Sequence, residues 1–171
     1  IFALDLCAYA VLSSHFHLVV RLDPDSPRAW SDEEVLRRYG RLFRSPVEDA
    51  RKLPPDKQKE RVAILRSRLQ SLSWFMRCLN ESIARRANQE DRCTGRFWEG
   101  RFRSQPLLDE GALLTCMSYV DLNPVRAGVT ESLEGSEFTR HVHRIEAYCE
   151  RTGRRQAKGS VWAARLYKRA A

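Results

Sequence analysis

Val11-Leu12-Ser13-Ser14-His15-Phe16-His17-Leu18-Val19-Val20-Arg21-Leu22 is the stretch on which the fold turns. After the two serines the run is apolar and β-branched, which suits a pleated strand. Strand side chains alternate between faces, so His15 and His17 point the same way, with Val19 and Arg21 beyond them. Phe16, Leu18, Val20 and Leu22 take the other face, which reads as the core side. Upstream, Phe2 to Val11 reads as the partner strand and Ser13-Ser14 as the turn of a β-hairpin. Asp23-Pro24-Asp25-Ser26-Pro27 ends it, because prolines and aspartates do not continue a ladder. Two imidazoles side by side on a rigid strand are the beginning of a metal site, and something else must complete it.

Outward from the hairpin, Ser31-Asp32-Glu33-Glu34 is a capping-box start, which predicts a short helix to about Phe43. Pro46 and Pro54-Pro55 bracket an expected linker, and residues 28–60 read as a helical insert. Val62, Leu65, Leu69, Leu72, Met76, Leu79 and Ile83 are spaced three and four apart. That spacing predicts one long helix ending near Asn88, with its apolar stripe laid across the sheet. Thr94-Gly95 is a turn signal, and the aromatic run from Arg96 to Leu108 is expected to hold another strand. Helix returns at about Asp109, and Asn123-Pro124 marks its expected end. Beyond Gly128 a helix is expected through Arg144 to Arg151. Together these elements predict an α+β fold: an antiparallel sheet with helices packed on one face, formed by residues 1–150 and followed by a tail, 151–171.

The 171-residue length suffices for one domain with a real core. No apolar run approaches the roughly 20 residues of a membrane helix. The chain opens Ile1-Phe2-Ala3-Leu4, already strand-like and without an initiator methionine, which suggests a fragment. Cys7, Cys78, Cys93, Cys116 and Cys149 are scattered and show no C-x-x-C spacing, which argues against a disulfide framework or a zinc ribbon and for a reducing cytoplasm. The net charge is +8, yet the tail carries seven basic residues and no acid, so the body is close to neutral. A cationic arm of this kind suits phosphate backbones; a solubilising terminus is the plainer alternative.

A second informative stretch is Cys116-Met117-Ser118-Tyr119-Val120-Asp121-Leu122-Asn123-Pro124-Val125-Arg126-Ala127-Gly128. On a helix Tyr119 and Asn123 share a face one turn apart, while Leu113, Met117 and Val120 occupy another and read as core. The Asn123 amide oxygen is a candidate third ligand to an ion already held by His15 and His17, with the Tyr119 phenol beside it. Singly, each has a plainer role: a structural histidine pair, a helix tyrosine with one hydrogen bond, a C-terminal cap. A second pair, His141 and His143, falls where a helix is expected; residues two apart there diverge by about 200°, so a shared ion is not expected.

His-hydrophobe-His on a strand, followed far downstream by Tyr-x-x-x-Asn-Pro-Val-Arg-Ala-Gly, resembles the HUH single-tyrosine transposases, in the branch of REP-associated tyrosine transposases. Leu72-Ser73-Trp74-Phe75-Met76-Arg77-Cys78-Leu79-Asn80 and Gly95-Arg96-Phe97-Trp98-Glu99-Gly100-Arg101-Phe102-Arg103-Ser104 match as well, in the right order, so the resemblance covers most of residues 1–130. It implies an RRM-like, ferredoxin-like palm whose first strand and helix would precede Ile1. It implies Tyr119 as nucleophile on a DNA phosphate, His15, His17 and Asn123 as ligands of Mg²⁺ or Mn²⁺, and hairpin-bearing single-stranded DNA as partner. A monomer or homodimer in the bacterial cytoplasm, at the nucleoid, is the corresponding expectation. Arg96, Trp98, Arg101, Arg103 and Arg126 are the expected DNA contacts, because aromatic faces stack on bases while guanidiniums hold phosphates. Phe97 and Phe102 are expected in the core. The alternative from another class is a non-catalytic nucleic-acid-binding relic with its motifs intact.

Overall fold

The Leu12 N–H donates to the His15 carbonyl at 2.9 Å across Ser13-Ser14, which closes a two-residue hairpin turn. The hairpin joins β1 (Leu4–Val11) to β2 (Phe16–Leu22) in a two-stranded antiparallel sheet. The computed structural model describes residues 1–132, so the expected helix at 144–151, His141, His143 and the basic tail lie outside the described residues. The described chain is α+β and falls into two compact units. One comprises Ile1–Asp5 and Leu22–Gln105; the other comprises Leu6–Arg21 and the chain from Pro106 onward.

In the first unit, Pro27 opens α1 (Ser26–Ala29) and Ser31 caps α2 (Asp32–Gly40). The Ser31 hydroxyl accepts the Glu34 N–H at 3.2 Å, as the capping signature predicts. The Glu34 carboxylate turns the other way, to Arg37 and Arg38 at 2.8 and 2.6 Å. Hydrogen bonds from these two guanidiniums depress its pKa to about 2. The helix stops at Gly40 rather than Phe43. The expected linker is instead another helix, α3 (Ser45–Arg51). Pro46 lies in its first turn, where a missing N–H costs nothing.

The single long helix is also corrected. It is two helices, α4 (Pro55–Gln70) and α5 (Leu72–Glu90), separated by Ser71 in an extended conformation. The Ser71 hydroxyl accepts the Trp74 N–H at 3.2 Å and starts α5 afresh. Seven apolar residues in a three-four rhythm therefore hide one capping serine. In the α4 half of the stripe, Val62, Leu65 and Leu69 pack with Val35, Leu36 and Tyr39 of α2 and Val47 and Ala50 of α3. Full burial of Leu65 or Leu69 contributes about 1.5–3 kcal/mol each. Arg66 clamps this helical core, donating to the carbonyls of Pro27 and Trp30 and to the Asp32 carboxylate.

Residues 91–108 form no strand. Arg92 (φ 51°) and Gly95 (φ 125°) turn the chain, and side-chain anchors replace ladder bonds. Asn88 Nδ2 donates to the Gly95 carbonyl, and the Trp98 indole donates to the Asn80 carbonyl at 2.9 Å.

In the second unit, Asp109 caps α6 (Glu110–Arg126), accepting the Ala112 N–H at 2.7 Å. Helix α6 lies on the hairpin through Val120, Ala8, Ala10 and Val19, flanked by Leu113, Cys116 and Met117. The expected core face of β2 is thereby reversed: Val19, on the histidine side, is its most buried residue, while Leu22 is exposed. Alanines at 8 and 10 explain the reversal, because small side chains let a helix approach that face. The expected end at Asn123-Pro124 is corrected too. Pro124 sits inside the last turn, and the helix stops at Gly128 (φ 67°). There Gly128 N–H donates to Val125 and Val129 N–H to Pro124, the bond pair of a left-handed glycine stop.

Candidate functional site

The reversed face of β2 places the histidines on the side that α6 covers. The His15 and His17 rings lie edge to face with centroids 5.0 Å apart. An ion about 2.1 Å from a ring nitrogen sits about 3.2 Å from that ring's centroid, so two imidazoles sharing it at 90–110° have centroids about 4.5–5.2 Å apart. A separation of 5.0 Å falls in that range, and it is equally the ordinary spacing of an edge-to-face ring pair. His15 Nδ1 lies 3.1 Å from the Ser14 hydroxyl. Burial, and then the neighbouring His15, lower the pKa of His17, which keeps that imidazole neutral and able to bind a metal.

From α6, the Tyr119 ring meets His17 edge to face at 6.2 Å. Tyr119 is 48% exposed. The Arg126 guanidinium, two turns along the same helix, lies over the Tyr119 ring at 5.6 Å. Asn123 follows Tyr119 by one turn and is 9% exposed. It lies inside the helix and does not cap it, since Ala127 holds the cap position. Among the described residues no three His, Cys, Asp or Glu side chains gather as a metal cluster. A third protein ligand beside the two imidazoles would thus be a neutral oxygen donor, and the Asn123 amide on this helix has that chemistry. By softness two imidazoles suit zinc, copper or nickel, whereas Mg²⁺ or Mn²⁺ would need phosphate oxygens and water to dominate the shell.

His15, His17, Tyr119, Asn123 and Arg126 all belong to the second unit. Arg96, Trp98, Arg101 and Arg103 belong to the first. There the Arg96 Nε donates to the Trp98 carbonyl at 2.9 Å, and Arg101 and Arg103 are exposed. Trp98 is half-buried and pinned through its indole, so one edge of its ring is committed to the fold. Phe102 is half-buried, but Phe97 is 43% exposed, against the expectation that it fills the core; it packs edge to face on Trp98 at 4.8 Å. The seven-residue spacing of Tyr119 and Arg126 is the signal that links them, and sequence reading had assigned Arg126 to DNA alone. Asp121, buried on α6, was passed over altogether; a carboxylate between Val120 and Leu122 was the available sign.

Cys7, Cys78, Cys93 and Cys116 are unbridged. Among the described residues no helix is long and apolar enough to cross a membrane. Comparison with protein-family models, curated proteins and solved structures gives no match for this chain.

Proposed function

We propose that the chain cuts and rejoins single-stranded DNA by attack of Tyr119 on a backbone phosphate, in the manner of the HUH single-tyrosine transposases it resembles. The observation that carries this reading is the Tyr119 ring lying 6.2 Å from His17, itself paired with His15 at 5.0 Å. A phenol and two imidazoles from separate stretches of one unit thereby adjoin, which supports the roles proposed for them.

The Tyr119 oxygen would form a bond to phosphorus while the bond from phosphorus to the 3′ oxygen breaks. The 3′ oxygen leaves with a proton as a free hydroxyl, and the 5′ side stays on the protein as a phosphotyrosine. Reattack by a 3′-hydroxyl reverses the step, so the phosphodiester energy is conserved and no nucleotide cofactor is required. A phenol has a pKa near 10, so its deprotonation needs assistance at neutral pH. His15, His17 and Asn123 would hold a divalent ion, Mg²⁺ or Mn²⁺, which supplies charge stabilisation on the phosphate oxygens when bound. Arg126 orients the phenol through its stacking contact and adds positive charge beside the attacked phosphate. Arg96, Trp98, Arg101 and Arg103 are proposed to bind the strand: arginines to phosphates, indole to a base. The finer fold assigned with this reading is the RRM-like palm, of which β1, β2 and α6 would be part.

The test is covalent capture of a labelled hairpin-bearing oligonucleotide with Mn²⁺. The reading expects an adduct that Tyr119→Phe removes. DNA binding with no adduct, from this chain or from a version extended upstream of Ile1, would favour the non-catalytic relic.

A further inference from the structure

Trp74 carries two guanidiniums. The Arg68 guanidinium carbon lies 4.4 Å from the centroid of the Trp74 ring, and that of Arg77 lies 4.9 Å from it. Arg68 comes from the last turn of α4 and Arg77 from the second turn of α5, so the Ser71 break brings the two cations to one indole. We propose that Arg68 and Arg77, held on Trp74, form a phosphate-binding site at the α4–α5 corner, for a phosphate oxyanion that is either free or part of a nucleic-acid backbone. Nothing in the tyrosine reaction requires this site, and it stands whether or not Tyr119 is a nucleophile.

Charge accounting is the first reason. The carboxylates near these helices are engaged elsewhere: Glu34 with Arg37 and Arg38, Asp32 with Arg66, Glu33 with Arg51. Glu81 sits one turn beyond Arg77, the natural helical partner, yet it pairs with Arg85. Arg68 donates only to a neutral group, the Tyr39 hydroxyl at 3.2 Å. Neither Arg68 nor Arg77 makes an ion pair with a carboxylate among the described residues. Two permanent charges lie within roughly 9 Å of each other, a separation comparable with the Debye length at physiological ionic strength.

Geometry is the second reason. A guanidinium stacked on an indole uses its face and leaves its N–H edge outward, and that edge matches two phosphate oxygens at once. Stacking also fixes the side chains in advance, so less rotamer freedom is lost when an anion arrives. The corner is accessible, since Arg77 is exposed and Arg68 half-buried. It also holds the N-terminal end of α5, a 19-residue helix, whose dipole adds to the positive potential. Phe43 packs 6.5 Å from Trp74, and Arg44 follows it in the chain.

The Trp74 indole N–H is buried without a hydrogen-bond partner among the described residues, which makes its resonance a local reporter. The experiment records ¹H–¹⁵N spectra of the 171-residue chain, with the peak identified by Trp74→Phe. Inorganic phosphate and, separately, a short oligo-dT strand are titrated at low salt. The expected result is a saturable shift with at least one of them, weakened tenfold or more by Arg68→Gln with Arg77→Gln. A shift with oligo-dT alone assigns the site to a nucleic-acid backbone; a shift with phosphate alone assigns it to the free anion. Arg77→Gln alone covers failure of the double variant to fold, because Arg77 is exposed. No shift with either ligand, or unchanged affinity in Arg77→Gln, overturns the proposal.

Discussion

The helical unit and the hairpin unit bury their interiors differently. Tyr39, Leu65, Leu69, Val35 and Val62 fill the helical core with large side chains, and its polar surface is closed by the Glu34 and Arg66 networks. The hairpin cluster is Ala8, Ala10, Val19 and Val120, small residues beneath a helix that leaves Tyr119 half in solvent. The comparison shows what a thin interior permits. Alanines bring α6 close enough to set a phenol against an imidazole, at the expense of apolar area. The large core provides stability and carries neither of the paired imidazoles.

The sharpest way to break this contrast is to hollow the larger core. Leu65→Ala removes a fully buried side chain and is expected to cost about 2–5 kcal/mol in urea unfolding. Protein that remains folded should still form the tyrosine adduct. Ala8→Leu attacks the other unit by overfilling the space under α6. It is expected to cost about 1–3 kcal/mol and to lower adduct yield out of proportion to the stability lost. Equal loss of adduct in the two variants, at matched folded fraction, would erase the distinction.

Much of the hairpin was legible in sequence, because alternation and a two-serine turn are local signals. The burial of the histidine face was not: it follows from the smallness of Ala8 and Ala10 on the partner strand, which a hydrophobic alternation count on β2 ignores. Leu113, Met117 and Val120 were legible as the packed side of α6, since a 3.6-residue period carries that information. Pro124 misled as a stop signal because α6 carries it at the loss of one i→i−4 bond and runs on to the left-handed glycine stop at Gly128. Ser71 was invisible for the opposite reason, as the apolar rhythm runs through it without a gap. The aromatic segment after Gly95 has strand-like composition but forms no ladder, and its anchors are side chains.

Smaller effects sharpen the same picture. Ser71→Ala removes the cap that starts α5 and is expected to cost about 1 kcal/mol, read as a lower thermal midpoint. In the hairpin unit, His17 has a lowered pKa, so the folded state disfavours its proton. The resulting stability is present above the ordinary value of 6.5 and is lost as pH falls through the lowered one; Mn²⁺ uptake should weaken over the same range, and His17→Gln should flatten that dependence in a binding titration. In the helical unit, Glu34 is depressed to about 2, so its contribution is present above the ordinary 4.5 and fades between 4.5 and 2. Glu34→Gln should remove that acid-side slope and lower the neutral plateau by the same amount, a small one because Arg37 is solvent-exposed.

The central claim is that Tyr119 attacks a phosphate beside His15 and His17. Its most direct test incubates an end-labelled, hairpin-bearing single-stranded oligonucleotide with the protein and Mn²⁺, then counts label retained on denatured protein. A Mn²⁺-dependent adduct that disappears in Tyr119→Phe and in His17→Ala, with both variants folded, is the predicted result. An adduct that persists in Tyr119→Phe would contradict it.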